Sequence, residues 1–156
     1  MSKVWPDLKR VFETLSYVVK GMSPDGTEMF YTVSYDTYQR KDTTDLCEFL
    51  EKKVPNGVTN ISYRLNLQLQ AYRLKMFNAK KSKGKKSIVR PMSIYILTNG
   101  EWGPGADPKI AIQDLATYLK SNKVHKGQVT IEFISFAQTA VAMQKINDVA
   151  KTDFGL

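Results

Sequence analysis

A chain of 156 residues suits one domain with a real hydrophobic core and is short for two. Its 42% hydrophobic and 24% charged residues exclude a wholly disordered chain and a membrane-embedded one. The formal charge of +8 is local: without Lys80, Lys81, Lys83, Lys85, Lys86 and Arg90, one short stretch with no acidic residue, it falls to +2.

Leu8, Val11, Phe12, Leu15, Val18 and Val19 recur at helical spacing after Pro6, and Gly21 supplies a stop. Ser23-Pro24-Asp25-Gly26 predicts a turn, and Met29 to Val33 a short strand. Asp42, Thr43 and Thr44 offer capping oxygens to a second helix carrying Leu46, Phe49 and Leu50, closed by Pro55-Asn56-Gly57. A third helix carries Ile61, Leu65, Leu69, Tyr72 and Met76. Residues 79–90, lysine-rich with Ser82, Gly84 and Ser87 interspersed, have the composition of a flexible loop.

Ile94-Tyr95-Ile96-Leu97 is apolar without alternation, as in a strand covered on both faces. A glycine-rich turn from Gly100 to Gly105 leads to Asp107-Pro108, a cap and first-turn proline for a helix with Ile112, Leu115, Ala116 and Leu119 on one face. Val129 to Phe136 predicts a further strand, and Ala142, Ile146, Val149 and Ala150 a closing helix. Strands alternating with helices give an α/β class, with helices on both faces of a sheet that lacks the usual opening strand. No apolar run approaches the roughly 20 residues of a membrane span, and no signal-peptide pattern opens the chain, so it reads as soluble and intracellular.

Several stretches, in order, resemble a von Willebrand factor type A domain of the stand-alone intracellular kind found in fungal proteins. They are Trp5-Pro6-Asp7-Leu8 through Val18-Val19-Lys20, Asp25 to Tyr31, Gly57-Val58-Thr59-Asn60-Ile61, Ser93 to Gly100, and Ile131 to Phe136. The resemblance implies one Rossmann-like, three-layer α/β/α domain over residues 1–156. It also implies that the opening central strand and its Asp-x-Ser-x-Ser motif are missing, Met1 standing near where that motif would end. In that family a metal-ion-dependent adhesion site holds Mg²⁺ through this motif, a Thr and an Asp. By resemblance Thr59 takes the Thr position, and Asn99 stands where the Asp would be. Asn99 brings no negative charge, so the site reads as degenerate, with no cofactor expected unless the upstream motif is restored.

Enzyme chemistry has little support. Gly100, Gly103 and Gly105 match neither phosphate-binding spacing, and Trp102 puts a bulky ring among them. The single cysteine, Cys47, reads as a small buried hydrophobe in a helix, and the single histidine, His125, as a group facing the negative end of one. The expected function is a non-catalytic protein-interaction module, cytoplasmic or nuclear, contacting its partner through Thr59, Asn99 and Trp102. The alternative is electrostatic: Lys80, Lys81, Lys83, Lys85, Lys86 and Arg90 could meet nucleic-acid phosphates or anionic lipid, or act as a nuclear import signal. No aromatic residue lies inside the run to stack on bases.

Overall fold

A computed structural model describes residues 2–33, 37–55, 60–81 and 89–154. The class is mixed α/β, and the chain forms two compact units, Met1–Thr59 and Asn60–Leu156.

In the first unit a short 3-10 turn, Ser2–Val4, leads into α1, Trp5–Val19. Pro6 sits in the first turn, where its missing N–H costs nothing, and the Lys20 N–H closes the helix on the Ser16 carbonyl. The chain then reverses into β1, Thr27–Phe30, paired antiparallel with β2, Thr37–Arg40, from Thr27 opposite Arg40 to Phe30 opposite Thr37. Gly26 enters this hairpin at φ +94°, and a Cβ there would lie 2.4 Å from the Arg40 carbonyl oxygen. The predicted strand therefore starts two residues earlier than Met29, and its partner strand is one the sequence pattern did not signal. Asp42 caps α2, Thr43–Glu51, by accepting the Thr44 N–H at 2.7 Å, as the sequence predicts. Helices α1 and α2 pack together, with Leu8, Leu46 and Leu50 buried and Lys9 paired to Glu51.

The second unit opens with α3, Ile61–Lys81. Its cap is Asn60, whose Oδ1 accepts the Tyr63 N–H at 2.9 Å. Ala79, Lys80 and Lys81 belong to this helix, so the expected loop begins later than residue 79; its residues 82–88 lie outside the described ones. Next come β3, Met92–Thr98, α4, Lys109–Ser121, a 3-10 turn at Lys126–Gln128, β4, Val129–Ser135, and α5, Ala140–Ala150. Strands β3 and β4 pair in parallel from Met92 opposite Val129 to Thr98 opposite Ser135. Their Met92, Ile94, Ile96, Ile131 and Phe133 side pack on a core that includes Leu65, Leu69, Tyr72, Leu115 and Leu119. The opposite side is only partly covered: Ser93, Thr130 and Glu132 are not buried. The reading of Ile94 to Leu97 as covered on both faces is therefore too strong.

Two parallel strands with returning helices place both strand C-termini, and the starts of α4 and α5, at one end of this unit. The ends of α3 and α4 lie at the other.

Candidate functional site

The carboxyl ends of parallel strands are where α/β sheets collect loops for binding, and here the connection after β3 is built from its own side chains. Buried Thr98 accepts the Gly100 N–H on its hydroxyl at 3.1 Å. Asn99 closes the next step: its Oδ1 accepts the Glu101 N–H at 3.3 Å and its amide donates to the Glu101 carboxylate at 2.6 Å. Gly100 adopts φ +75°, and a Cβ on it would sit 2.6 Å from the Ala142 carbonyl oxygen, so this turn rests against the first turn of α5. The Phe136 N–H donates to the Thr98 carbonyl at 2.8 Å, joining the loop after β4 to the loop after β3.

Trp102 follows at 6% exposure, inside the hydrophobic core, and its carbonyl accepts the Lys145 ammonium at 3.1 Å. Its ring braces the loop from beneath and offers little surface to a partner. Asp107 accepts the Lys109 N–H at 2.9 Å ahead of α4, and Thr139 accepts the Ala142 N–H at 3.2 Å ahead of α5. Around these capped helix starts stand two apolar side chains in the open, Ile110 at 70% and Val141 at 67% exposure.

Asn99 and Trp102 thus share one connection, whereas Thr59 lies outside the described residues. The cap of α3 is its neighbour Asn60. Glu101, Ile110 and Val141 were missed, and each had a signal. Asn99 and Glu101 stand two apart at a strand end, as in an Asx turn. Ile110 and Val141 are apolar but out of phase with the buried stripes of their helices.

Among the described residues, Asn99 and Glu101 hold one another. The Asn99 carbonyl is already used by the Glu101 N–H, and the Glu101 carboxylate is held by the Asn99 amide. Among the described residues no group of three His, Cys, Asp or Glu side chains converges.

Of the basic residues, Lys80 reaches Asn122, its ammonium 3.2 Å from the side-chain oxygen, and Lys81 lies over the Phe77 ring at 4.3 Å from its centroid. Arg90 is anchored through its backbone, since its carbonyl accepts the Tyr72 hydroxyl. Lys83, Lys85 and Lys86 lie outside the described residues.

The two residues with nucleophile or base potential belong to different units. Cys47 is half-buried rather than buried, beside Leu50, Glu13 and Glu51 in a cleft of about 300 Å³ between α1 and α2. Burial, then the Glu13 and Glu51 carboxylates, push its thiol up, which keeps it protonated and weakly nucleophilic. His125 stands at the start of the 3-10 turn Lys126–Gln128. Its Nδ1 accepts the Gly127 N–H at 3.0 Å and caps the 3-10 turn, a task for the unprotonated nitrogen.

Comparison of the chain with family models, curated proteins and solved structures finds no match. No helix among the described residues is long and apolar enough to cross a membrane.

Proposed function

We propose that the chain is a non-catalytic intracellular protein-interaction module, a single three-layer domain of the von Willebrand factor A type with a degenerate metal site. The observation that carries this reading is the pairing of a stiff loop with exposed apolar side chains at one end of Asn60–Leu156. Thr98, Asn99, Gly100 and buried Trp102 hold the β3–α4 connection, while Ile110 and Val141 stand open beside it. A loop held by its own hydrogen bonds loses little entropy when a partner arrives, and each exposed aliphatic side chain can contribute about 1.5–3 kcal/mol on burial. Asn99 then serves to shape the surface and Trp102 to support it. Thr59 joins the contact on the family resemblance alone.

The test is affinity capture on the full chain, compared with Ile110→Lys/Val141→Lys. Proteins captured by the parent and lost from the double variant, with unfolding temperature unchanged, are the expected result. An unchanged captured set would contradict the assignment.

A further inference from the structure

The pole of Asn60–Leu156 opposite this loop gathers positive charge from stretches far apart in the chain. Lys80 and Lys81 end α3, Lys120 lies in the last turn of α4, and Lys123 and Lys126 follow it. These five lysines are all exposed. Their supports are fixed. Lys80 joins α3 to Asn122 after α4. The Tyr72 hydroxyl donates to the Arg90 carbonyl and accepts the Gln128 amide at 2.6 Å, and that amide also donates to the Val89 carbonyl at 3.0 Å. The approach to β3 and the turn bearing Lys126 are thereby tied to one side chain of α3.

Lysines at helix ends also offset the helix dipole. Each helix C-terminus carries roughly −0.5 of a charge, so two helix ends would be neutralised by a single lysine. Five stand on the described surface, and the sequence holds no Asp or Glu between Glu51 and Glu101 or between Asp114 and Glu132. α5 also ends at this pole, with Asp148 and Asp153 on either side of Lys151, which lowers the potential on that flank only.

We infer that this pole is a binding surface for the phosphate backbone of nucleic acid, made by Lys120, Lys123 and Lys126 together with Lys80, Lys81 and Arg90. The surface is folded, and it goes beyond the lysine-rich segment because half of its cations come from the end of α4 and the turn that follows it. Polar side chains lie between the lysines: Ser121, Asn122 and His125. A bilayer would be held by charge with little apolar insertion to add, since Val124 is half-buried against the core and the Phe77 ring lies under the Lys81 ammonium. The contact carries no sequence preference, because lysines on phosphates position a nucleic acid without reading its bases. It is independent of the protein-partner reading, which uses the other end.

Fluorescence anisotropy of the full chain with labelled oligouridylate and with a DNA duplex at about 50 mM salt tests it. Binding should weaken steeply with salt. Lys120→Gln/Lys123→Gln/Lys126→Gln should lower affinity at least tenfold and reduce the salt slope on duplex by up to about 2.7, at about 0.9 for each phosphate no longer neutralised. Lys3→Gln/Lys41→Gln/Lys52→Gln should leave both unchanged. Lysine acetylation of the unmutated chain, with and without oligonucleotide, gives a readout that does not depend on a variant folding; protection of Lys120, Lys123 and Lys126 is expected. No binding by the parent chain, an unaffected first variant, equal acetylation in both states, or binding to phosphatidylserine vesicles in place of either oligonucleotide would overturn the inference.

Discussion

Gly100 and Gly105 have nearly the same backbone, φ +75° and +73°, but different surroundings. A Cβ at Gly105 meets nothing within 4 Å, whereas one at Gly100 meets the Ala142 backbone. Gly105→Ala should therefore show only the left-handed penalty of about 1–2 kcal/mol. Gly100→Ala should exceed that and displace the start of α5, as chemical denaturation of the two variants would reveal. Tyr31 gives the reverse case. Its hydroxyl is buried with no hydrogen-bond partner among the described residues, and burial pushes the phenol well above its ordinary range. Tyr31→Phe removes a desolvated polar group and should leave stability unchanged or raise it by about 1 kcal/mol. A phenol whose folded pKa is raised contributes fully below its unfolded value of about 10 and loses that contribution as pH climbs further. Melting temperature should thus fall above about pH 10, and less steeply in Tyr31→Phe.

At the scale of elements, legibility followed the strength of the local pattern. α2 was legible from Asp42 and the Leu46, Leu50 stripe, and α3 from its spacing at threes and fours, because helix caps and stripes are local physics. β2 was not: Thr37-Tyr38-Gln39-Arg40 has one apolar side chain, and its place is set by Tyr38 stacking on Phe49 of α2, ring centroids 3.9 Å apart. The burial of Trp102 has the same origin. A tryptophan between glycines gives no local sign of burial, and its place in the core comes from a cluster shared with α3, α4, β4 and α5. The Tyr72–Gln128 bond, joining residues 56 apart in sequence, carried no local signal at all. Since it ties α3 to the entries of both strands of the parallel pair, Tyr72→Phe should cost about 1–3 kcal/mol by leaving the Gln128 amide and Arg90 carbonyl short of a partner. Urea unfolding against the parent measures it, and a Gln128→Leu background should make the two changes non-additive.

Across the whole molecule the charge divides unevenly. Residues 60–156 hold 15 Lys and Arg against 6 Asp and Glu, and residues 1–59 hold 8 against 9, so the excess belongs to the second unit alone. Within that unit the lysine pole and the Asn99 loop occupy opposite ends of the parallel pair, which allows two contacts without competition. The candidate site was legible in sequence as far as Asn99 and the turn into Gly100. Its apolar rim was not, because exposure of Ile110 and Val141 depends on how α4 and α5 are rotated against the core. In the proposed partner surface the loop is held by Asn99 and Glu101 and needs no cation. Affinity capture with the full chain in excess magnesium and in excess chelator addresses it most directly. The same captured proteins are expected in both conditions, with their loss only in Ile110→Lys/Val141→Lys. Capture that requires magnesium and is abolished by chelator would contradict it.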